Sequence, residues 1–332
     1  MLDQLKRRKF ITLLLGGAAA AFPSFVASAE SPTKRPTVGF LAGGSKAANR
    51  KFYDSFPQGL QDLGYIQRAR LYVDRYADGD LTRLPALAQE MTRLVPDVIV
   101  AAPGSAVLAA RQATATIPII GINMSDPAGM GLVASEARPG SNVTGVLVRV
   151  PGQAEKQLEF ALDAVAGTRS VGVLGNLDEA SNVRQWRETQ AAAAKMGVAL
   201  SLIEVRSPAE LGPAFSRFAT ERVNVVIVLG QVAFVTLRRQ IAAFALAARL
   251  PTVCAFREHV EDGGLLSYGI NLQANYRRAA HYVDRIMKGE SPANLPIEFP
   301  TKIELVINLA TAKALGLEIP PTLLARADEV IE

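Results

Sequence analysis

A repeat inside the chain limits its fold more than any other feature. Val38, Gly64 and Pro118 are matched 133 residues later by Val171, Gly197 and Pro251, while Asp97 meets its counterpart Asn224 after 127. One helix is therefore shorter and the next longer by the same amount. Within each copy, short apolar runs bounded by glycine alternate with amphipathic stretches, the signature of β-α-β units around a parallel sheet. The first copy predicts strands at 38–41, 71–73, 98–100 and 117–122, with helices up to 63, over 81–94 and over 105–113. The second predicts strands at 171–174, 199–203, 225–228 and 252–253, with helices over 183–196, 210–220 and 234–248. The expected fold class is α/β, two similar doubly wound parallel-sheet lobes joined by a hinge near 149–152, each with its own buried strands.

Past Pro251 the plan changes. A strand at 264–268, a helix over 272–288, a strand at 302–307 and a helix over 310–315 follow, which implies that the chain crosses between lobes more than once. The expected division is 36–149 plus about 269–292 for the first lobe and 150–268 plus about 293–332 for the second.

Composition narrows the chemistry. At 49% apolar and 20% charged residues the chain can bury a real core, so disorder is excluded. One cysteine, Cys254, and two histidines, His259 and His281, are too few for a zinc cage, an iron–sulfur site or a disulfide framework. No metal or cofactor is expected.

Residues 1–29 read as an export signal: Lys6-Arg7-Arg8-Lys9 is a basic start, 10–21 an apolar stretch, and Ala27-Ser28-Ala29 a cleavage site. Arg7-Arg8-Lys9-Phe10-Ile11 also fits twin-arginine export, in which paired arginines precede a bulky apolar residue. The mature chain is expected to begin near Glu30, in the periplasm and soluble. Removing four basic residues and Asp3 lowers the net charge from +5 to +2. The remaining charges are scattered with both signs mixed, so no nucleic-acid footprint is expected. A monomer is expected.

In open α/β sheets, ligands bind outside the carboxyl ends of the strands. That rule selects Gly44 and Ser45, Gly104 and Ser105, Asn123, Asp126, Asn176, Gln231, Arg257 and Glu258 as candidate ligand contacts. Turn geometry and helix capping would require glycine, serine or aspartate at several of these positions whatever the protein does. For a zwitterionic solute, Asp126 or Glu258 would meet the ammonium. Ser45, Ser105 and the helix starts behind them, helped by Arg257, would hold the carboxylate.

Enzyme motifs fail in turn. Gly129-Met130-Gly131-Leu132-Val133-Ala134 has the spacing of a dinucleotide fingerprint but lies beyond the strand end, and reads as helix packing. Gly39 to Gly44 has the spacing of a phosphate loop, but Ser45-Lys46 reverses the required order. There is no nucleophile elbow. His259 and His281 read as structural histidines, Cys254 as a small buried hydrophobe, and Trp186 as partly buried packing. No catalytic residues are expected.

The residues also carry a resemblance. Asp97-Val98-Ile99-Val100, Asp126-Pro127, Gly131-Leu132-Val133-Ala134-Ser135 and Arg138-Pro139-Gly140-Ser141-Asn142-Val143-Thr144-Gly145 form one set of strings. Arg257-Glu258, Gly263-Gly264-Leu265-Leu266-Ser267-Tyr268-Gly269, Pro300-Thr301-Lys302, Glu304-Leu305-Val306-Ile307-Asn308-Leu309 and Leu324-Ala325-Arg326-Ala327-Asp328-Glu329 form another. Together they resemble the periplasmic substrate-binding proteins of ABC transporters of the tryptophan/tyrosine type, across nearly all of the mature chain. The resemblance implies a type I periplasmic-binding fold, capture of a small organic solute such as an amino acid between the lobes, and delivery to a membrane permease. Most of these strings look structural, 308–316 as a capped helix among them. Two departures stand out: Pro57 inside a helix, which should kink it or delay its start, and Gly230-Gln231-Val232 in place of a more polar turn, which would make that wall of the cleft more apolar. An extracytoplasmic sensor subunit, or a hydrolase using Asp126 or Glu258, is the alternative on the same fold.

Overall fold

The computed structural model describes residues 37–65 and 71–332; the expected export signal lies outside them. The first sheet holds β1 (Thr37–Ala42), β2 (Leu71–Tyr76), β3 (Val98–Ala102), β4 (Ile119–Met124) and β5 (Val143–Leu147), all parallel, in the order β2-β1-β3-β4-β5. The second holds β6 (Ser170–Gly175), β7 (Ala199–Glu204), β8 (Val225–Val228), β9 (Thr252–Cys254), β10 (Leu266–Ile270), β11 (Ile303–Asn308) and β12 (Glu329–Ile331). Its first five strands repeat the order of the first sheet, as β7-β6-β8-β9-β10. The repeat read from the sequence is thus a repeat of topology: β1 and β6 begin 133 residues apart, at Thr37 and Ser170.

The helices are α1 (Arg50–Tyr53), α2 (Ser55–Asp62), α3 (Leu84–Arg93), α4 (Gly104–Ala113), α5 (Gln153–Ala164), α6 (Ala180–Met196), α7 (Leu211–Thr220), α8 (Val232–Thr236), α9 (Arg238–Ala247), α10 (Arg257–Glu261), α11 (Leu272–Met287), α12 (Leu309–Leu315) and α13 (Pro321–Leu324). Each sheet is sandwiched. Leu84, Ala88 and Met91 of α3 and Ala106, Val107 and Ala110 of α4 cover one face of the first sheet. Phe56 and Leu60 of α2, with Ala279, Tyr282 and Val283 of α11, cover the other. Leu158 and Ala161 of α5 share one core of the second sheet with Ala192 of α6, while Phe215 and Phe218 of α7 share the other with Ile241 of α9.

Pro57 acts as expected. It lacks the N–H that would continue a helix into Tyr53, and the chain breaks at Asp54 between α1 and α2. The predicted capped helix at 308–316 is α12: Asn308 accepts from the Thr311 amide and Gly316 closes it at φ +72°.

Three expectations need correction. No helix lies between β4 and β5, so Gly129 and Gly131 do not pack a helix; they shape a turn, with Gly131 at φ +68°. β11 runs antiparallel to β10. Residues 292–298 stay on the first sheet: Glu298 donates to Gly145 and accepts from Leu147, and Thr144 Oγ1 donates to the Leu295 carbonyl at 2.7 Å. The return to the second sheet therefore follows residue 298, a little later than the sequence places it.

Candidate functional site

Both sheets turn the carboxyl ends of their parallel strands toward one cleft, where the described residues of the two lobes meet as one compact unit. On the first side, β1 runs into Gly43-Gly44-Ser45. A Cβ on Gly44 would stand 2.6 Å from Asn49 Nδ2 and 2.8 Å from the Tyr53 hydroxyl, so glycine lets both side chains close over the turn. The Ser45 carbonyl accepts from the Asn49 amide at 3.1 Å and its side chain at 3.0 Å. Beyond β3, α4 opens at Gly104, and the buried Ser105 Oγ has no hydrogen-bond partner among the described residues.

Asn123, one residue before the end of β4, stands at φ +60°, a conformation asparagine tolerates better than most side chains. The register of β4 on β5 shifts there, as in a β-bulge that re-aims a side chain. Its Oδ1 accepts from Asn275 at 2.9 Å. Asn49, Phe52, Tyr53, Asn123 and Tyr276 line a recess closed from the second lobe by Val235. Burial pushes the Tyr53 hydroxyl up to about 12 and keeps Tyr276 well above its usual range, so both stay neutral donors.

A larger recess, about 610 Å3 counted to its open mouth, runs along the crossing segment. Ser125 and Val148 to Pro151 form one side; Arg184 and Gln185 of α6, Gly230 and Phe256 form the other. Gln185 fixes the turn after β8 by accepting from the Gly230 amide at 2.7 Å and donating to its carbonyl at 3.0 Å. Arg149 Nε and Arg184 Nη2 both donate to the Ser125 carbonyl, at 3.1 and 3.0 Å. Arg149 also pairs with Glu136.

The lobes are closed on each other. Val235, Ala255 and Phe256 share a core with Phe52, Tyr53 and Tyr276, and Lys51 pairs across the cleft with Glu261 at 2.8 Å.

The ten sequence-derived candidates divide on this geometry. Asn123 lines the smaller recess, Gly44 packs beneath its Asn49 and Tyr53, Ser45 supports that Asn49, and Gly104 and Ser105 begin the adjoining helix. Asp126 spends one oxygen on the Gly129 amide at 3.0 Å, holding its own turn. Asn176 likewise accepts from Asp178, and Gln231 accepts from the fully buried Asn182. The Val232 side chain lies outside the described ones; Val235 supplies apolar surface on that wall.

Arg257 and Glu258 are not brought to the cleft surface. Arg257 is consumed by Glu261, Glu304 and Glu329 at 2.9, 3.3 and 2.6 Å, tying α10 to β11 and β12. Glu258 is 3% exposed and, among the described residues, has no hydrogen-bond partner beyond its own backbone amide; burial pushes its carboxyl up to about 7. Neither lines either recess. Sequence reasoning in turn missed Asn49, Tyr53, Arg149, Arg184, Gln185 and Tyr276. Arg184 carried a signal, since it lies in the second turn of a helix that starts just after a parallel strand.

This fold and cleft define a two-lobed receptor of the type I periplasmic-binding class, built to enclose a small solute. The chain belongs to the family described as ABC transporter substrate binding protein, whose model matches residues 40–331. A tyrosine-binding protein of Clostridioides difficile is 25% identical over 264 residues, 79% of this chain and 76% of that protein. A conserved domain protein from Vibrio cholerae superposes with a TM-score of 0.81 at 28% identity, covering 90% of this chain and 100% of that one. A protein from Streptococcus pneumonia in complex with L-Trp gives 0.80 at 24% identity, over 89% and 100%. A ligand-free, open substrate binding protein with adhesive properties from Clostridium difficile gives 0.70 at 23%, over 89% and 99%.

The protein captures a small organic solute between its lobes and delivers it to an ABC importer, outside the cytoplasm. Among the described residues, no helix is long and apolar enough to cross a membrane.

Proposed function

We propose that the solute is an amino acid with a large, flat side chain, bound in the periplasm by a monomeric, non-catalytic receptor. The observation that carries this reading is the pairing of two kinds of wall in one closed cleft. Phe52, Tyr53 and Tyr276 offer aromatic surface beside Asn49 and Asn123, and a recess of about 610 Å3 with arginines and amides adjoins them. Apolar surface set beside a few polar groups is the lining that holds and orients a small ligand. The named ligands of the similar proteins, tyrosine and L-Trp, are of the same class.

The non-catalytic reading is supported by where reactive side chains sit. Cys254 is fully buried and its thiol is pushed up to about 12 by burial; His259 is held down to about 4 by burial. Neither lines the cleft, and neither can act as nucleophile or base toward a bound solute.

A thermal-shift screen over amino acids, sugars and carboxylic acids tests the ligand, since a binder at about 100 Kd stabilises by ~2.7 kcal/mol. Tyrosine, tryptophan or phenylalanine should give the largest shifts; a sugar alone would sink the amino-acid reading. For localisation, Ala27-Ser28-Ala29 sets the expected cut, with Arg7-Arg8 directing twin-arginine export. N-terminal sequencing of the periplasmic fraction should begin near Glu30, and an intact start recovered only from cytoplasm would overturn it.

A further inference from the structure

We propose that Arg184 is the residue that holds the carboxylate of the bound solute. This rests on the cleft being a solute site and narrows that site to acids. A guanidinium carries five N–H donors in a planar fork. Arg184 spends one on the Ser125 carbonyl of the opposite lobe at 3.0 Å, and that bond orients the fork. Its nearest carboxylate, Glu188, stands 4.0 Å away and is half exposed, so solvent screens the pair heavily.

Other arginines of similar or lower exposure each pair closely with a carboxylate. Arg75, Arg238 and Arg257 hold carboxylates at 2.7, 2.6 and 2.6 Å, and Arg149, beside Arg184 in the same recess, holds Glu136. Among the described residues of the recess, Arg184 is therefore the cation with no carboxylate within hydrogen-bond distance. Its other neighbours in the recess, Ser181, Gln153 and Gln185, are neutral, and Glu188 is the one acid among the residues lining it. A carboxylate matches the free edge of the fork in a bidentate pair, an arrangement that a lysine ammonium cannot reproduce.

Calorimetry on the full chain with L-tyrosine, L-tyrosinamide, 3-(4-hydroxyphenyl)propanoate and tyramine separates carboxylate from ammonium, backed by a panel of the other amino acids and their amides. The parent protein should prefer acid to amide at least tenfold. Arg184→Gln should weaken the acid 10- to 100-fold and leave the amide within about twofold, erasing the preference; Arg184→Lys should restore only part of it. Glu188→Gln, on the same helix, should not weaken the acid, and all three variants should keep the parent melting temperature. An unchanged acid-to-amide ratio in Arg184→Gln overturns the assignment, as does tightest binding of tyramine or a panel in which no carboxylate binds. Binding of the propanoate without binding of any amino acid would remove the amino-acid reading and leave Arg184 in its role.

Discussion

At the residue scale, the most instructive pair is Glu258 and His259, neighbours on α10 that are both buried and both displaced from their ordinary titration. Burial raises Glu258 to about 7, so the folded protein keeps a proton that the unfolded chain loses near 4.5. Its contribution is fully present below 4.5 and falls as pH rises to 7. Burial lowers His259 to about 4, so the unfolded chain takes up a proton near 6.5 that the folded one refuses. That contribution is fully present above 6.5 and is lost as pH falls to 4. Across 4.5–6.5 the two slopes oppose and largely cancel, each worth up to about 3 kcal/mol. Denaturant unfolding at several pH values should therefore show a steeper rise of stability with pH in Glu258→Gln than in the parent, and a steeper fall in His259→Gln. Parallel profiles for parent and both variants would refute this. The sequence marked Arg257 and Glu258 as candidate ligand contacts because they directly follow the end of a parallel strand. It did not reveal that they face inward, since Arg257's partners Glu304 and Glu329 arrive on strands added after the repeat.

Among the elements, apolar runs between glycines located most strands, because a strand buried on both faces has little room for polar residues. Direction is not written in periodicity. β11 pairs antiparallel because the chain re-enters the second sheet from the first lobe. Helix α5 escaped notice because four of its six buried positions are Ala154, Gln157, Ala161 and Ala164, a weak apolar stripe, and it begins directly after the expected hinge. The string 138–145 looked structural, and Gly145 shows why. It sits at φ +140° opposite Gly121, and a Cβ there would fall 1.9 Å from the Gly121 carbonyl oxygen. Gly145→Ala should cost about 3–5 kcal/mol from backbone strain and overpacking together, read by urea unfolding or loss of soluble protein. Gly64→Ala, at φ +78° with open space around it, isolates the backbone contribution and should cost only about 1 kcal/mol. Equal losses at the two positions would mean that β4 and β5 can separate to admit a methyl group.

For the whole molecule, the duplicated plan and the shared cleft were legible from the repeat, because the same strand order places the same switch point in each lobe. How the lobes meet was not legible, because it depends on side chains from distant segments. Phe52, Tyr276 and Phe256 come together only through the fold, as do Lys51 and Glu261. The closed arrangement is thus held by an apolar contact beside the smaller recess and an ion pair between Lys51 and Glu261. Lys51 is about half exposed, so the pair contributes at most about 1 kcal/mol in water. Lys51→Ala is the cleaner probe, since Glu261 keeps Arg257 as a second partner at 2.9 Å. Losing the pair should lower the closed-to-open ratio by up to about fivefold and raise Kd by no more than that factor. Added salt should weaken solute binding slightly in the parent and less in Lys51→Ala, because screening removes what the substitution has already removed. Small-angle scattering of the ligand-free variant should give a larger radius of gyration than the parent, with the two converging once solute saturates both. Identical scattering and identical Kd would show that the aromatic contact alone holds the lobes together.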